Sequence, residues 1–109
     1  MTSEREKLWA EVHGIGRDID ELSDDESLLD YMGDNALELY YRITDTGEFA
    51  GAEITLGIGN PTIWIDTDGT LVGTSCSERV EFCLRSATKR LIWDTYSDKF
   101  DCLRRLRFR

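Results

Sequence analysis

Residues 52–75 read AEITLGIGNPTIWIDTDGTLVGTS and decide the fold. Apolar side chains alternate with others along 52–58 and again along 62–67, and this period of two is typical of β-strands. Gly59-Asn60-Pro61 interrupts the first run. Asp68-Gly69 is a strong signal for a tight hairpin, because both residues tolerate positive φ. Runs joined by such short connections predict antiparallel pairing.

The same alternation extends on both sides of this segment. Residues 37–43 alternate before the turn at Asp45-Thr46-Gly47, residues 71–75 follow the hairpin, and residues 80–84 alternate after it. The sequence therefore predicts an antiparallel meander of four to five strands. The predicted core comprises Leu37, Leu39, Ile54, Leu56, Phe82, Leu84 and Ile92.

Helical patterns flank the strands. Ser3-Glu4-Arg5-Glu6 is a capping-box pattern that starts a short helix ending near Gly14, and Ser23-Asp24-Asp25-Glu26 starts a second helix ending at Gly33. Ser86 is the predicted N-cap of a last helix, which should pack across one face of the sheet. The prediction is an α+β fold in which residues 1–109 form a single domain, with short N-terminal helices, the meander and a C-terminal helix.

The charge is negative overall and unevenly distributed. The formal net charge is −9; residues 1–84 contain 19 acidic and 5 basic residues, whereas residues 85–109 contain 3 acidic and 8 basic residues. An acidic body repels nucleic acid and anionic membranes and attracts basic protein surfaces. Neither a signal-peptide pattern nor a run of about 20 apolar residues is present, so we expect a cytoplasmic protein without membrane or direct nucleic-acid binding.

An acidic series over residues 18–34, which Glu38 and Glu48 could extend, is the candidate partner-binding site. Carboxylates spaced along a helix and a sheet edge can imitate the phosphates of DNA. A solvated helix face with capping residues is the simpler alternative. The predicted partner-binding residues are Asp18, Asp20, Glu21, Asp24, Asp25, Asp30, Asp34, Glu38 and Glu48.

The segment 63–71 resembles the first motif of haloacid dehalogenase-type phosphatases. The resemblance implies Asp66 as the nucleophile, Asp68 as the general acid/base and magnesium as the cofactor. The motif lies beyond the middle of the chain and continues as a strand, which favours a hairpin turn instead. A calcium loop would need further acidic ligands, which residues 70–75 lack. We therefore predict no catalytic residue, metal or cofactor.

The three cysteines and the single histidine could have more than one role. Cys76, Cys83 and Cys102 show no CxxC spacing. The simplest interpretation is three buried or half-buried thiols; a zinc site with His13 and a regulatory disulfide are the alternatives. The position of His13 near a predicted helix end favours a capping role.

Residues 51–67 resemble a family of small proteins carried by bacteriophages and conjugative elements, and the overall plan is similar to that of small acidic anti-CRISPR proteins. The resemblance implies a non-enzymatic inhibitor, acting in the host cytoplasm, that binds a basic nucleic-acid-binding surface of a host defence nuclease. CRISPR effectors, which hold nucleic acid in positively charged channels, are the favoured partners. The alternatives are an antitoxin-like accessory module anchored by Trp64 or Trp93, and the magnesium-dependent phosphatase.

Overall fold

A computed structural model describes residues 3–22 and 25–107. Three helices and five strands are present in the described part. They are α1 (Glu4–Glu21), α2 (Asp25–Asn35), β1 (Glu38–Ile43), β2 (Phe49–Gly57), β3 (Thr62–Asp66), β4 (Thr70–Ser75), β5 (Glu78–Cys83) and α3 (Ser86–Arg107). No helix in these two ranges is both long and apolar enough to cross a bilayer.

The five strands form one antiparallel sheet in the order β1-β2-β3-β4-β5. The predicted α+β fold with a meander is therefore confirmed. The register places Ile54, Ile65, Leu71 and Phe82 in one row across β2 to β5. Side chains paired across neighbouring strands point to the same face of the sheet. This row defines the face that carries the core.

All three helices pack on that face. Val12 of α1 lies so close to β4 that a Cβ on Gly73 would be 2.4 Å from its Cγ2 atom. The ring of Phe100 in α3 packs against Tyr41, with centroids 5.4 Å apart. Helix α2 adds Leu28 and Met32 to the same buried cluster. The opposite side, here called the open face, displays the row Thr55, Trp64, Val72 and Glu81.

The predicted end of the first helix is wrong, because α1 continues through Gly14 to Glu21. The predicted cap is confirmed, since Ser3 Oγ accepts a hydrogen bond from the Glu6 amide. Gly16 lies where α1 comes nearest to β5: a Cβ there would be 2.2 Å from the Phe82 ring. This glycine permits close packing and does not terminate the helix.

The second helix also ends later than predicted, at Asn35 and not at Gly33. Ser23 and Asp24, half of its predicted capping box, lie outside the described residues. Ser86 is the first residue of α3, so it does not precede the helix as a cap.

Ile54, Leu84 and Ile92 are buried as predicted, with relative exposures of 0–2 %. Leu56 and Phe82 are only partly buried and pack at the margin of the core. Leu37 and Leu39 contradict the prediction, since both are exposed. Leu37 precedes β1 and Leu39 lies within it, and β1 is an edge strand of the sheet. A period of two shows which residues share a face, but it does not distinguish an edge strand from a central one.

Candidate protein-binding surface

The acidic residues of the described ranges divide into those with a cationic partner and those without. Ion pairs to arginine or lysine involve Glu4, Asp20, Glu53, Asp66, Glu78 and Glu81. Three of these residues, Glu53, Asp66 and Glu81, lie on the open face of the sheet, where Arg42 and Arg79 offset their charge. The acids without a partner are concentrated elsewhere, at the end of α1 and along α2.

Helix α2 presents a row of carboxylates away from the core. Glu26, Asp30 and Asp34 are spaced four residues apart and therefore share one side of the helix. Leu28 and Met32, which are 3 % and 2 % exposed, occupy the opposite side. All three acids are exposed, and none forms an ion pair with any residue that the structure describes.

The C-terminal end of α1 adjoins this row. The pKa of Tyr31 in α2 is raised, first by burial and second by the nearby negative charge of Asp18. Asp18 and Glu21 are exposed and, within the described ranges, have no ion-pair partner. We call these five residues, Asp18, Glu21, Glu26, Asp30 and Asp34, the acidic helix face. Glu26 was not among the predicted binding residues, although its helical spacing from Asp30 and Asp34 places it with them.

Asp20 has a different role from the one predicted. Its Oδ1 accepts a hydrogen bond of 3.1 Å from the Arg85 amide and lies 3.8 Å from Arg85 Nε. The Arg85 guanidinium also donates to the Asp20 carbonyl oxygen. The Asp20 side chain is only 13 % exposed. These contacts tie the end of α1 to the segment before α3, so Asp20 does not contribute a free charge to the surface.

We expect Asp20→Ala to lower the free energy of unfolding by about 1–2 kcal/mol, because it removes a charge-assisted hydrogen bond that is partly solvent-screened. Chemical denaturation measures this change. Glu21→Ala is the matched control and should change stability by less than about 0.5 kcal/mol, as expected for an exposed position. Equal stability of the two variants would contradict the structural role of Asp20.

Glu38 and Glu48 do not extend the acidic helix face. Glu38 pairs with Thr55 across β1 and β2 and lies toward the open face, where the Tyr40 hydroxyl donates a hydrogen bond to it. This bond raises the pKa of Tyr40. Glu48 lies in the β1–β2 hairpin, where its amide donates to Thr44 Oγ1. Asp24 lies outside the described residues, and Asp25 begins α2.

The Asp66 and Asp68 carboxylates hold a hairpin turn. Asp66 pairs with Thr70, so the loop has three residues, and Gly69 alone supplies positive φ, at +101°. The tight hairpin expected at Asp68-Gly69 is present, but Asp68 does not adopt the positive φ that it was expected to tolerate. Asp66 Oδ1 accepts hydrogen bonds from the Asp68 amide at 3.0 Å and from Arg42 at 2.7 Å. Asp68 Oδ1 accepts one from the Thr70 amide at 2.9 Å. Such Asx contacts are characteristic of turns.

We expect Asp68→Asn to change the free energy of unfolding by less than about 0.5 kcal/mol, because the asparagine oxygen still accepts the Thr70 amide. Asp66→Asn should cost more, since it weakens the ion pair that raises the pKa of Arg42. Thermal unfolding of both variants tests this order. Loss of a phosphatase activity in Asp68→Asn at unchanged stability would instead support the catalytic alternative.

The two tryptophans proposed as alternative anchors lie on different sides of the molecule. Trp64 is on the open face, with the Arg79 guanidinium 5.7 Å from its ring centroid. Trp93 is on α3 at the helical side and packs edge-to-face on Phe49, with centroids 4.9 Å apart. Tyr40 is exposed on edge strand β1. One interface could therefore include Trp64 and Tyr40, but not Trp93 with them.

The histidine and the cysteines are placed differently from the predictions. His13 lies within α1, not at its end, and stacks on Trp9 with ring centroids 3.8 Å apart. Cys76, Cys83 and Cys102 are all free and exposed, which corrects the expectation of buried thiols. Across residues 3–22 and 25–107, no three His, Cys, Asp or Glu side chains are grouped so that they could hold a metal ion.

No protein-family model, curated protein or solved structure matches the chain. The resemblance to phage and anti-CRISPR proteins therefore stays a prediction. The acidic helix face groups five exposed carboxylates that form no ion pair within the described ranges.

Proposed function

We propose that this chain is a non-catalytic binding protein whose acidic helix face docks on a basic, nucleic-acid-binding surface of another protein. One observation supports this proposal. Within the described residues, five exposed carboxylates of α1 and α2 lack the cationic partners that the acids of the open face possess. Uncompensated charge of one sign attracts a surface of the opposite sign and accelerates its encounter with that surface.

The spacing of the charges suits a groove that holds a nucleic-acid backbone. A rise of 1.5 Å per residue places Glu26, Asp30 and Asp34 at intervals of about 6 Å along one side of α2. Duplex DNA carries one charge per about 1.7 Å of axis, so the row imitates a short and dilute segment of that field. If this row of carboxylates displaces nucleic acid from a basic groove, the protein's affinity for that groove should fall strongly as the salt concentration rises.

The partner class follows from the same chemistry. Nuclease complexes of host defence hold guide and target strands in positively charged channels. A CRISPR effector is the leading candidate, in line with the sequence resemblance, and the chain would then act as an inhibitor that competes with nucleic acid.

Binding to purified CRISPR and restriction effectors tests the proposal. We expect the affinity for the effector to fall at least tenfold between about 50 and 200 mM salt. Cognate DNA should compete with the protein for the effector. Failure to bind any such effector at low salt would contradict the proposal. Asp68→Asn, which leaves the acidic helix face unchanged, is the control and should bind like the wild type.

A second candidate function rests on the open face. Trp64 lies half-buried at its centre, beside Val72 and Thr55, with no helix of the described ranges over it. Aromatic residues in such positions often anchor protein interfaces. This second function predicts a partner that DNA does not displace and that the Trp64→Ala variant no longer binds. Such a result would favour an accessory protein-interaction module.

A further inference from the structure

The apolar side of α3 extends beyond the part that the rest of the chain covers. Four apolar residues lie within an arc of about 80° around the helix axis, at 100° per residue: Ile92, Tyr96, Leu103 and Leu106. The first two are 2 % and 5 % exposed, whereas Leu103 and Leu106 are 45 % and 72 % exposed. One continuous stripe is therefore buried at its beginning and exposed at its end.

A groove runs beside the exposed end of this stripe. It has a volume of about 440 Å³, is largely apolar, and is lined by Leu39, Tyr41, Asp98, Lys99, Cys102 and Leu103. Its far wall is β1, an edge strand whose outer side pairs with no strand of the described ranges. Uncovered edges and apolar stripes are surfaces that proteins commonly bury against a further chain.

The charges beside the groove identify the occupant. Asp98 and Arg105 lie four residues before and three residues after Cys102, so all three occupy one flank of α3. All three are exposed, and neither charged residue forms an ion pair within residues 3–22 and 25–107. A second α3 running antiparallel would bring Asp98 of each copy to Arg105 of the other. A parallel helix would place like charges together.

We propose that two copies of this chain form a twofold-symmetric dimer in which their α3 helices pair antiparallel, centred near Cys102. Leu103 and Leu106 of each copy fill the groove between α3 and β1 of the other. Two equivalent Asp98–Arg105 pairs flank the axis, and the two Cys102 thiols lie near it. Such self-complementary interfaces are the commonest form of homo-oligomer.

Sedimentation equilibrium of charge variants tests the pairing. We expect a reversible wild-type dimer, whose dissociation constant rises at least tenfold in Asp98→Arg and in Arg105→Asp, because like charges then meet across the axis. The double variant D98R/R105D exchanges the signs and should restore dimerisation to within about threefold of the wild type. Leu103→Glu should give a monomer, whereas Ile58→Glu, at an exposed apolar position outside the groove, should not.

Cross-linking provides a second measurement. In a Cys76→Ser/Cys83→Ser background, a short bis-maleimide should join two chains through Cys102, and adding Leu103→Glu should abolish the product. Circular dichroism must show that each variant is folded. A wild-type chain that stays monomeric at millimolar concentration, or a double charge variant no better than the single ones, would overturn the proposal.

Discussion

Ile65→Ala is expected to lower the free energy of unfolding by about 2–5 kcal/mol. Ile65 is fully buried in β3, the central strand, and pairs with Ile54 on one side and Leu71 on the other. Truncation removes apolar contacts and leaves a cavity that the two neighbouring strands, β2 and β4, cannot easily close. Urea denaturation, followed by far-UV circular dichroism, measures the change.

Ile58→Ala is the matched control for this substitution. Ile58 belongs to the preceding alternating run, residues 52–58, but is 60 % exposed, beyond the end of β2. Its truncation should cost less than about 0.5 kcal/mol. Similar losses in the two variants would mean that the register of β2 and β3 differs from the one described here.

Local sequence patterns predicted the sheet well because each strand shows its own alternation and each connection has its own turn residues. The positions of Asp68-Gly69 and of the alternating residues 52–58 were sufficient to order β2, β3 and β4. Glycine residues, in contrast, led to wrong predictions of where the helices end. Gly14 and Gly33 resemble helix ends, but α1 continues to Glu21 and α2 to Asn35, and the packing of Gly16 against Phe82 cannot be read from local sequence.

The candidate surface was predictable in part. The density of carboxylates in α1 and α2 is visible in the sequence, and a spacing of four residues identifies Glu26, Asp30 and Asp34 as one row. The role of Asp20 was not predictable, because its partner Arg85 is 65 residues away in the chain.

Replacing Glu21, Asp30 and Asp34 by lysine is expected to abolish binding to a basic effector surface while the protein remains folded. The change shifts the formal net charge by six, from −9 to −3. Two of these residues lie in the last turns of α1 and α2, where a lysine interacts favourably with the helix dipole. Asp20 is left unchanged because it holds Arg85. The affinity at low salt should fall at least a hundredfold, about 2.7 kcal/mol, and the remaining salt dependence should become shallower.

A second triple variant separates the position of the charges from their sum. Asp45, Asp94 and Asp101 are exposed residues of the β1–β2 hairpin and of α3, outside the acidic helix face. Their replacement by lysine gives the same net charge of −3. If long-range attraction alone drove binding, the two variants would lose the same affinity, since this attraction depends on the total field. If the acidic helix face is the contact surface, the control should lose less than about tenfold, because distant exposed charges are screened beyond about 8–10 Å. Equal losses of affinity would mean that the acidic helix face contributes only through the net charge. Unchanged binding in both variants would indicate that the interface lies on the open face around Trp64.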